Sequence, residues 1–176
     1  MMKKVVVLGP ESTGKSTLCQ LLSEYFHCPW VPEFAREYLI INGTDYSYDD
    51  LLTIAKGQLS EEDRITSSSA SRAIFIDTDM HVMKVWCEFV FGKCHEFIIN
   101  ELNKRHYDLY LLCNVDLPWV KDELREYPDL ETRQTLYNIY KRLLIEEQLP
   151  WVDISGTYSE RLQKAINAVS ELIDNK

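Results

Sequence analysis

The chain opens with a hydrophobic strand that runs directly into Gly9-x-x-x-x-Gly14-Lys15-Ser16 and then into a helix. Val5, Val6 and Val7 are consecutive and β-branched, which reads as a strand buried in a parallel sheet. Leu18, Leu21 and Leu22 then restart the apolar pattern at helical spacing. A glycine-bearing loop between such a strand and such a helix is the context that separates a phosphate-binding P-loop from a chance match. Gly9 and Gly14 permit backbone angles that a Cβ resists. The N–H groups of Glu11, Ser12, Thr13 and their neighbours can therefore turn inward around a β-phosphate, with the positive end of the next helix behind them. Lys15 then reaches the β- and γ-phosphate oxygens, Ser16 offers a hydroxyl to a phosphate-bound Mg²⁺, and Thr17 is placed for the α-phosphate.

A chain of 176 residues suffices for one domain with a single sheet covered on both faces, and we expect one domain over 1–176. No apolar run approaches the roughly 20 residues of a membrane span, and the apolar stretch before the P-loop is too short for a signal peptide. A cytoplasmic protein is expected. A net charge of −9 argues against a broad nucleic-acid surface, which needs clustered Lys and Arg. The five cysteines (Cys19, Cys28, Cys87, Cys94 and Cys113) are scattered without a C-x-x-C spacing and read as reduced, mostly buried thiols. Oligomeric state is left open.

The remaining elements follow from periodicity and breakers. Residues 29–32 form a short strand closed by proline, 33–41 a helix ended by Asn42-Gly43, and 48–69 a long polar helix. Residues 73–77 make a third strand, 80–91 and 94–106 two helices, and 109–113 a fourth strand. After a break at Asp116-Leu117-Pro118-Trp119 come a helix over 130–147, a strand over 151–154 and a helix over 158–173. Strands alternating with helices specify an α/β fold, a three-layer P-loop NTPase with a parallel sheet. The nucleoside and nucleotide kinase-like strand order 2-3-1-4-5 is the fold-level expectation for five such strands.

Phosphoryl transfer also requires a metal-organising carboxylate, a base at the acceptor hydroxyl, positive charge on the moving group and exclusion of water. Asp77 ends the buried run Ile74-Phe75-Ile76, where a Walker-B-type acid meets the Mg²⁺ shell beside Ser16. Asp79 serves the same metal, the substrate, or merely the cap of the next helix. Glu33 lies at the carboxyl edge of the second strand, where open parallel sheets gather ligands, and a carboxylate there can accept the proton of an attacking hydroxyl. Arg36 follows one turn later, as a substrate contact or as Glu33's ion-pair partner. Arg125 and Arg133 flank Pro128 in a lid-like segment over 116–133, either closing on phosphates or standing as solvated charges. Thr157 and Tyr158 follow the last strand, where Tyr158 either stacks on adenine or covers the core.

Four blocks add a resemblance. The stretch from Gly9 to Leu18, Val31 to Leu39, Ile76 to Asp79 with Trp86 downstream, and Asp116 to Arg125 resemble, in order, the ribosylnicotinamide kinase domain of NadR-type NAD-biosynthesis proteins. The resemblance covers nearly the whole chain. It implies ATP-dependent phosphorylation of the 5′-hydroxyl of nicotinamide riboside, with Glu33 and Arg36 lining the riboside pocket and Asp77 and Asp79 organising metal or ribose. It makes Trp86 a candidate pocket wall and assigns Trp119, Asp122 and Arg125 to the lid-side motif. Glu123 departs from the glycine the family often has after Asp122. A cationic pyridinium suits electron-rich rings beside carboxylates, so Tyr38, Trp86 or Trp119 with Asp79 are candidates to select it. Another nucleoside or nucleotide acceptor, or a non-catalytic ATP-binding regulatory module, remains the alternative.

Overall fold

The alternation along each central strand decides the layering. In a computed structural model describing residues 2–174, β1 (Lys3–Leu8) sends Val5 and Val7 to one face and Val6 and Leu8 to the other, all fully buried. The chain continues through α1 (Lys15–Phe26), β2 (Trp30–Val31), α2 (Phe34–Asn42), α3 (Tyr48–Ser68) and β3 (Ala73–Asp77). There follow α4 (Met80–Phe91), α5 (Glu96–Lys104), β4 (Leu109–Cys113), α6 (Leu130–Glu146), β5 (Trp151–Ile154) and α7 (Tyr158–Asp174).

All strand pairs are parallel and the order is β2-β3-β1-β4-β5, as the sequence predicts. Phe75, Leu111 and Cys113 join Val5 and Val7 against α1 and α7, while Ile74, Ile76, Tyr110 and Leu112 join Val6 and Leu8 against α4 and α6. Burial on both faces explains why these strands read as continuous apolar runs. A third cluster is built from α2, α3, α4 and α5 around Leu51, Ile54, Met83 and Ile98. Glu62 of α3 is fully buried near the start of β1, accepting from Lys4 Nζ at 2.8 Å and Tyr107 Oη at 2.9 Å, with Arg105 Nη1 at 3.3 Å.

Element ends are set by local chemistry. Ser47 and Asp50 form a reciprocal capping box at α3, and Asp129 caps α6 by accepting from Thr132 N. Most element ends fall within about one residue of the sequence reading, and two elements, β1 and α5, depart further. β1 begins two residues early because Lys3 pairs with Ala73. α5 is shorter than 94–106 because His95 has extended backbone and its ring stacks on Tyr48, with centroids 3.7 Å apart. The five thiols are free, four of them buried. Among the described residues no helix is long and apolar enough to cross a membrane.

The register places the site. Val7 pairs with Asp77 and with Leu111, so β1, β3 and β4 end level and the loop from Gly9 rises beside the Asp77 carboxyl.

Candidate active site

The loop between β1 and α1 is bent by residues that hold positive φ: Gly9 at 143°, Ser12 at 57° and Gly14 at 78°. A Cβ on Gly9 would lie 2.7 Å from the Cys113 carbonyl oxygen, so the loop can pass over β4 only without a side chain there. Thr13 Oγ1 and Lys15 Nζ both donate to the Pro10 carbonyl, at 2.7 and 2.9 Å, which closes the loop on itself. Gly14 starts α1 without a side-chain cap, so the first-turn N–H groups stay open to a ligand.

Beside this loop stand two carboxylates. Asp77 is fully buried; its Oδ2 accepts from Ser16 Oγ at 2.5 Å, and its Oδ1 has no hydrogen-bond partner. Burial, then the nearby charge of Glu33, pushes the Asp77 carboxyl up to about 7. Glu33 is the N-cap residue of α2, yet its side chain makes no capping bond and lines the cleft instead. An orphaned buried carboxylate oxygen next to a serine hydroxyl fits a hard cation with oxygen ligands. Among the described residues no three His, Cys, Asp or Glu side chains converge as a metal cage, and Mg²⁺ at a phosphate site needs only one or two protein ligands.

The cleft has a volume of about 340 Å³. The whole P-loop from Gly9 to Thr17 lines it together with Glu33, Arg36 and Arg125, and its apolar lining includes Ala35, Val85, Trp86 and Phe89. Trp86 Nε1 donates to Tyr46 Oη at 2.8 Å, and Tyr46 Oη donates to Glu126 Oε2 at 2.9 Å.

The irregular connection over 114–129 closes the remaining side, and the P-loop itself holds it there. Glu11 Oε2 accepts from the N–H groups of Glu126 and Tyr127 at 2.9 and 3.0 Å, and Ser12 Oγ accepts from Val120 N at 3.0 Å. Burial raises the Glu11 carboxyl, with those two N–H bonds pulling the other way. Arg125 Nη1 reaches Ser12 Oγ at 3.3 Å and the Val120 carbonyl at 2.5 Å. Arg36 Nη2 donates to Asp122 Oδ2 at 2.8 Å and holds that carboxyl below its ordinary range.

The AAA domain family matches residues 4–161. The chain belongs to that family. It is also 28% identical over 176 aligned residues to the trifunctional NAD biosynthesis/regulator protein NadR of Salmonella typhimurium, covering 97% of this chain and 43% of NadR. The chain thus spans less than half the length of that curated relative. A crystal structure of NadR in complex with NR aligns over 99% of this chain and 52% of that one, with 27% identity and a TM-score of 0.83. One of NadR with NAD and AMP-PNP aligns over 99% and 50%, with 26% identity and a TM-score of 0.78. The expected likeness to NadR is therefore present, on a P-loop kinase-like fold.

Within this AAA-family site several sequence candidates stand apart from the cleft. Asp79 is fully buried, accepts from the N–H groups of His81 and Val82 at the start of α4, and binds His81 Nδ1 at 2.6 Å. Its oxygens are spent on that helix end, so the helix-cap alternative describes it. Tyr38 donates to Asp50 at 2.5 Å and ties α2 to α3. Trp119 packs under two guanidinium groups, Arg133 at 5.3 Å and Arg125 at 5.8 Å from its ring centroid. Arg133 is buried, not solvated, with Nε and Nη1 unpartnered. Thr157 is spent at the start of α7, where its N–H and hydroxyl donate to Glu160. Tyr158 is 56% exposed and its ring edge faces Gly14, so it borders the loop without covering the core.

Other residues of the site lack a sequence signal. Arg161 is buried and donates to the carbonyls of Thr13, Asn114 and Gly156, and it pairs with Asp116. One side chain thereby ties the P-loop to the ends of β4 and β5. In the sequence it is one more charge on an amphipathic helix. Tyr46, Glu126 and Tyr127 also line the cleft and belong to no recognisable motif.

Proposed function

We propose that this chain is an ATP-dependent kinase that phosphorylates the 5′-hydroxyl of nicotinamide riboside, giving nicotinamide mononucleotide and ADP. The observation that carries the reading is a single cleft lined by a P-loop, an uncapped Glu33 carboxylate and apolar side chains that include Trp86. NadR, solved in complex with NR and with an ATP analogue, supports the choice of substrates.

In this reading the loop N–H groups and Lys15 hold the β- and γ-phosphates, and Tyr158 borders the base. Ser16 and Asp77 would hold Mg²⁺, which would supply charge neutralisation to the phosphates when bound. Glu33 accepts the proton of the riboside hydroxyl as its oxygen bonds to the γ-phosphorus and the bond to ADP breaks. Arg125 neutralises charge on the moving group, a role worth on the order of 10³-fold in rate where such an arginine is essential. The Trp86 ring and the Glu126 carboxylate behind Tyr46 favour a cationic pyridinium. Arg36 and Asp122 close the pocket over the sugar.

Incubation of the protein with labelled ATP, Mg²⁺ and a mixture of ribosides tests the reading. Nicotinamide riboside is expected to take the label, and Glu33→Gln to lose transfer while retaining ATP binding. Label on thymidine, adenosine or a nucleoside monophosphate, with nicotinamide riboside ignored, would overturn the substrate. ATP binding without transfer to any acceptor would favour the regulatory alternative.

A further inference from the structure

Glu33 lines the cleft, the buried Asp77 carboxyl lies near enough to feel its charge, and something must hold their backbones in place. Gln58, in the middle of α3, is 1% exposed and uses its whole amide for this. Its Oε1 accepts from Phe34 N at 2.8 Å, and its Nε2 donates to the carbonyls of Pro32 at 3.3 Å and Asp77 at 3.2 Å. The Pro32 carbonyl belongs to the peptide before Glu33 and the Phe34 N–H to the peptide after it. Both peptides flanking the Glu33 Cα, together with the one that follows Asp77, are therefore fastened to a single side chain.

The local sequence makes room for it. A Cβ on Gly57 would lie 2.2 Å from the Phe34 ring, so the bare backbone of Gly57 lets α3 approach the start of α2 closely enough for Gln58 to reach. The Phe34 N–H is one of the first-turn donors that a helix leaves unpaired. Gln58 satisfies it from outside, and the Glu33 carboxylate is left free for the cleft.

We infer that Gln58 is a positioning residue for phosphoryl transfer, fixing the Glu33 base relative to the Asp77 carboxylate through the backbone on either side. The inference rests on the kinase reading above. Only an amide supplies the required polarity, one acceptor for an N–H and donors for two carbonyls. A carboxylate of the same shape would set an oxygen against two carbonyl oxygens. Displacement of a reacting group by about 1 Å costs roughly 100-fold in rate.

The test is a double-mutant cycle on kcat with Glu33→Gln and Gln58→Met, using whichever nucleoside the parent phosphorylates. Gln58→Met alone is expected to lower kcat by about 10- to 100-fold while the KM for ATP changes by less than about threefold. In the Glu33→Gln background the same change should cost less than about threefold, because the base it positions is gone. Gln58→Glu, which keeps volume but turns the donor end into an acceptor facing two carbonyls, should behave as Gln58→Met and serves if that variant folds poorly. Equal losses in both backgrounds, or a fall in thermal stability with kcat unchanged, would overturn the inference while leaving the kinase reading intact. A parent that phosphorylates no acceptor would sink the kinase reading, and this inference with it.

Discussion

Ser16 and Asp77 lie 61 positions apart in sequence, yet the Ser16 hydroxyl donates to Asp77 Oδ2 at 2.5 Å and leaves Oδ1 buried without a partner. An uncompensated buried carboxylate costs stability, and burial has already pushed this carboxyl up to about 7. The arrangement makes sense where a cation is to be received.

Asp77→Asn keeps the shape and the hydrogen bond to Ser16 but removes the charge. Without nucleotide the variant should be more stable than the parent at pH 8 by on the order of 1 kcal/mol, read by urea unfolding. Phosphoryl transfer should fall at least about 100-fold, and the nucleotide should lose Mg²⁺-dependent affinity. A variant less stable than the parent and equally active would contradict the metal-site reading.

Gly9 is the second place where sequence and site are inseparable. Its φ of 143° and the 2.7 Å approach of the Cys113 carbonyl leave no room for a methyl group. Gly9→Ala should destabilise the protein by roughly 2 kcal/mol and weaken ATP binding, whereas Gly92→Ala, where nothing lies within 4 Å, should cost only its backbone strain. Calorimetric unfolding and nucleotide titration on the two variants compare them directly.

The Arg36–Asp122 pair joins α2 to the connection over 114–129 across solvent, with the Arg36 side chain 51% exposed. Exposed pairs contribute at most about 1 kcal/mol. Asp122→Asn is accordingly expected to leave the melting temperature nearly unchanged and to raise the KM of the acceptor several-fold with ATP affinity retained. Salt at 0.5 M, about threefold or more above physiological strength, should reproduce part of the effect in the parent and none in the variant.

His81 gives the pH dependence. It is buried between Asp79, at 2.6 Å on Nδ1, and Glu147, at 3.0 Å on Nε2, with Tyr110 edge-on to its ring. Burial opposes the charged ring, but the two carboxylates prevail and raise it from 6.5 to about 9. A folded value above the unfolded one means that the folded chain binds the extra proton. The stabilisation is fully present below about pH 6.5 and is lost as pH rises through about 9. Urea unfolding between pH 6.5 and 10 should show the parent losing on the order of 3 kcal/mol more than His81→Gln. Parallel curves would show that the ring is neutral in the folded chain.

Much of this was legible in the chain itself. The P-loop and the five strands follow from local signals, β-branched runs and glycines and prolines at bends, while the strand order is the expectation of the fold class, which the observed pairing bears out. The misread ends have local causes that a pattern does not carry, such as the ring of His95 stacking on Tyr48. Asp79 illustrates the limit, since a carboxylate two residues past a strand end reads equally as ligand or cap, and only the His81 and Val82 N–H groups decide between them.

By itself the sequence determined the phosphate-binding loop and the parallel sheet, because strand burial, backbone freedom and helix starts are written in neighbouring residues. Only the tertiary structure decided which side chains meet over that loop: Gln58 behind Glu33, Glu11 under the Glu126 and Tyr127 amides, Arg161 against Thr13. Such contacts join residues 24 to 148 positions apart. Their partners are chosen by the packing of whole helices on the sheet, and no spacing along the chain encodes that.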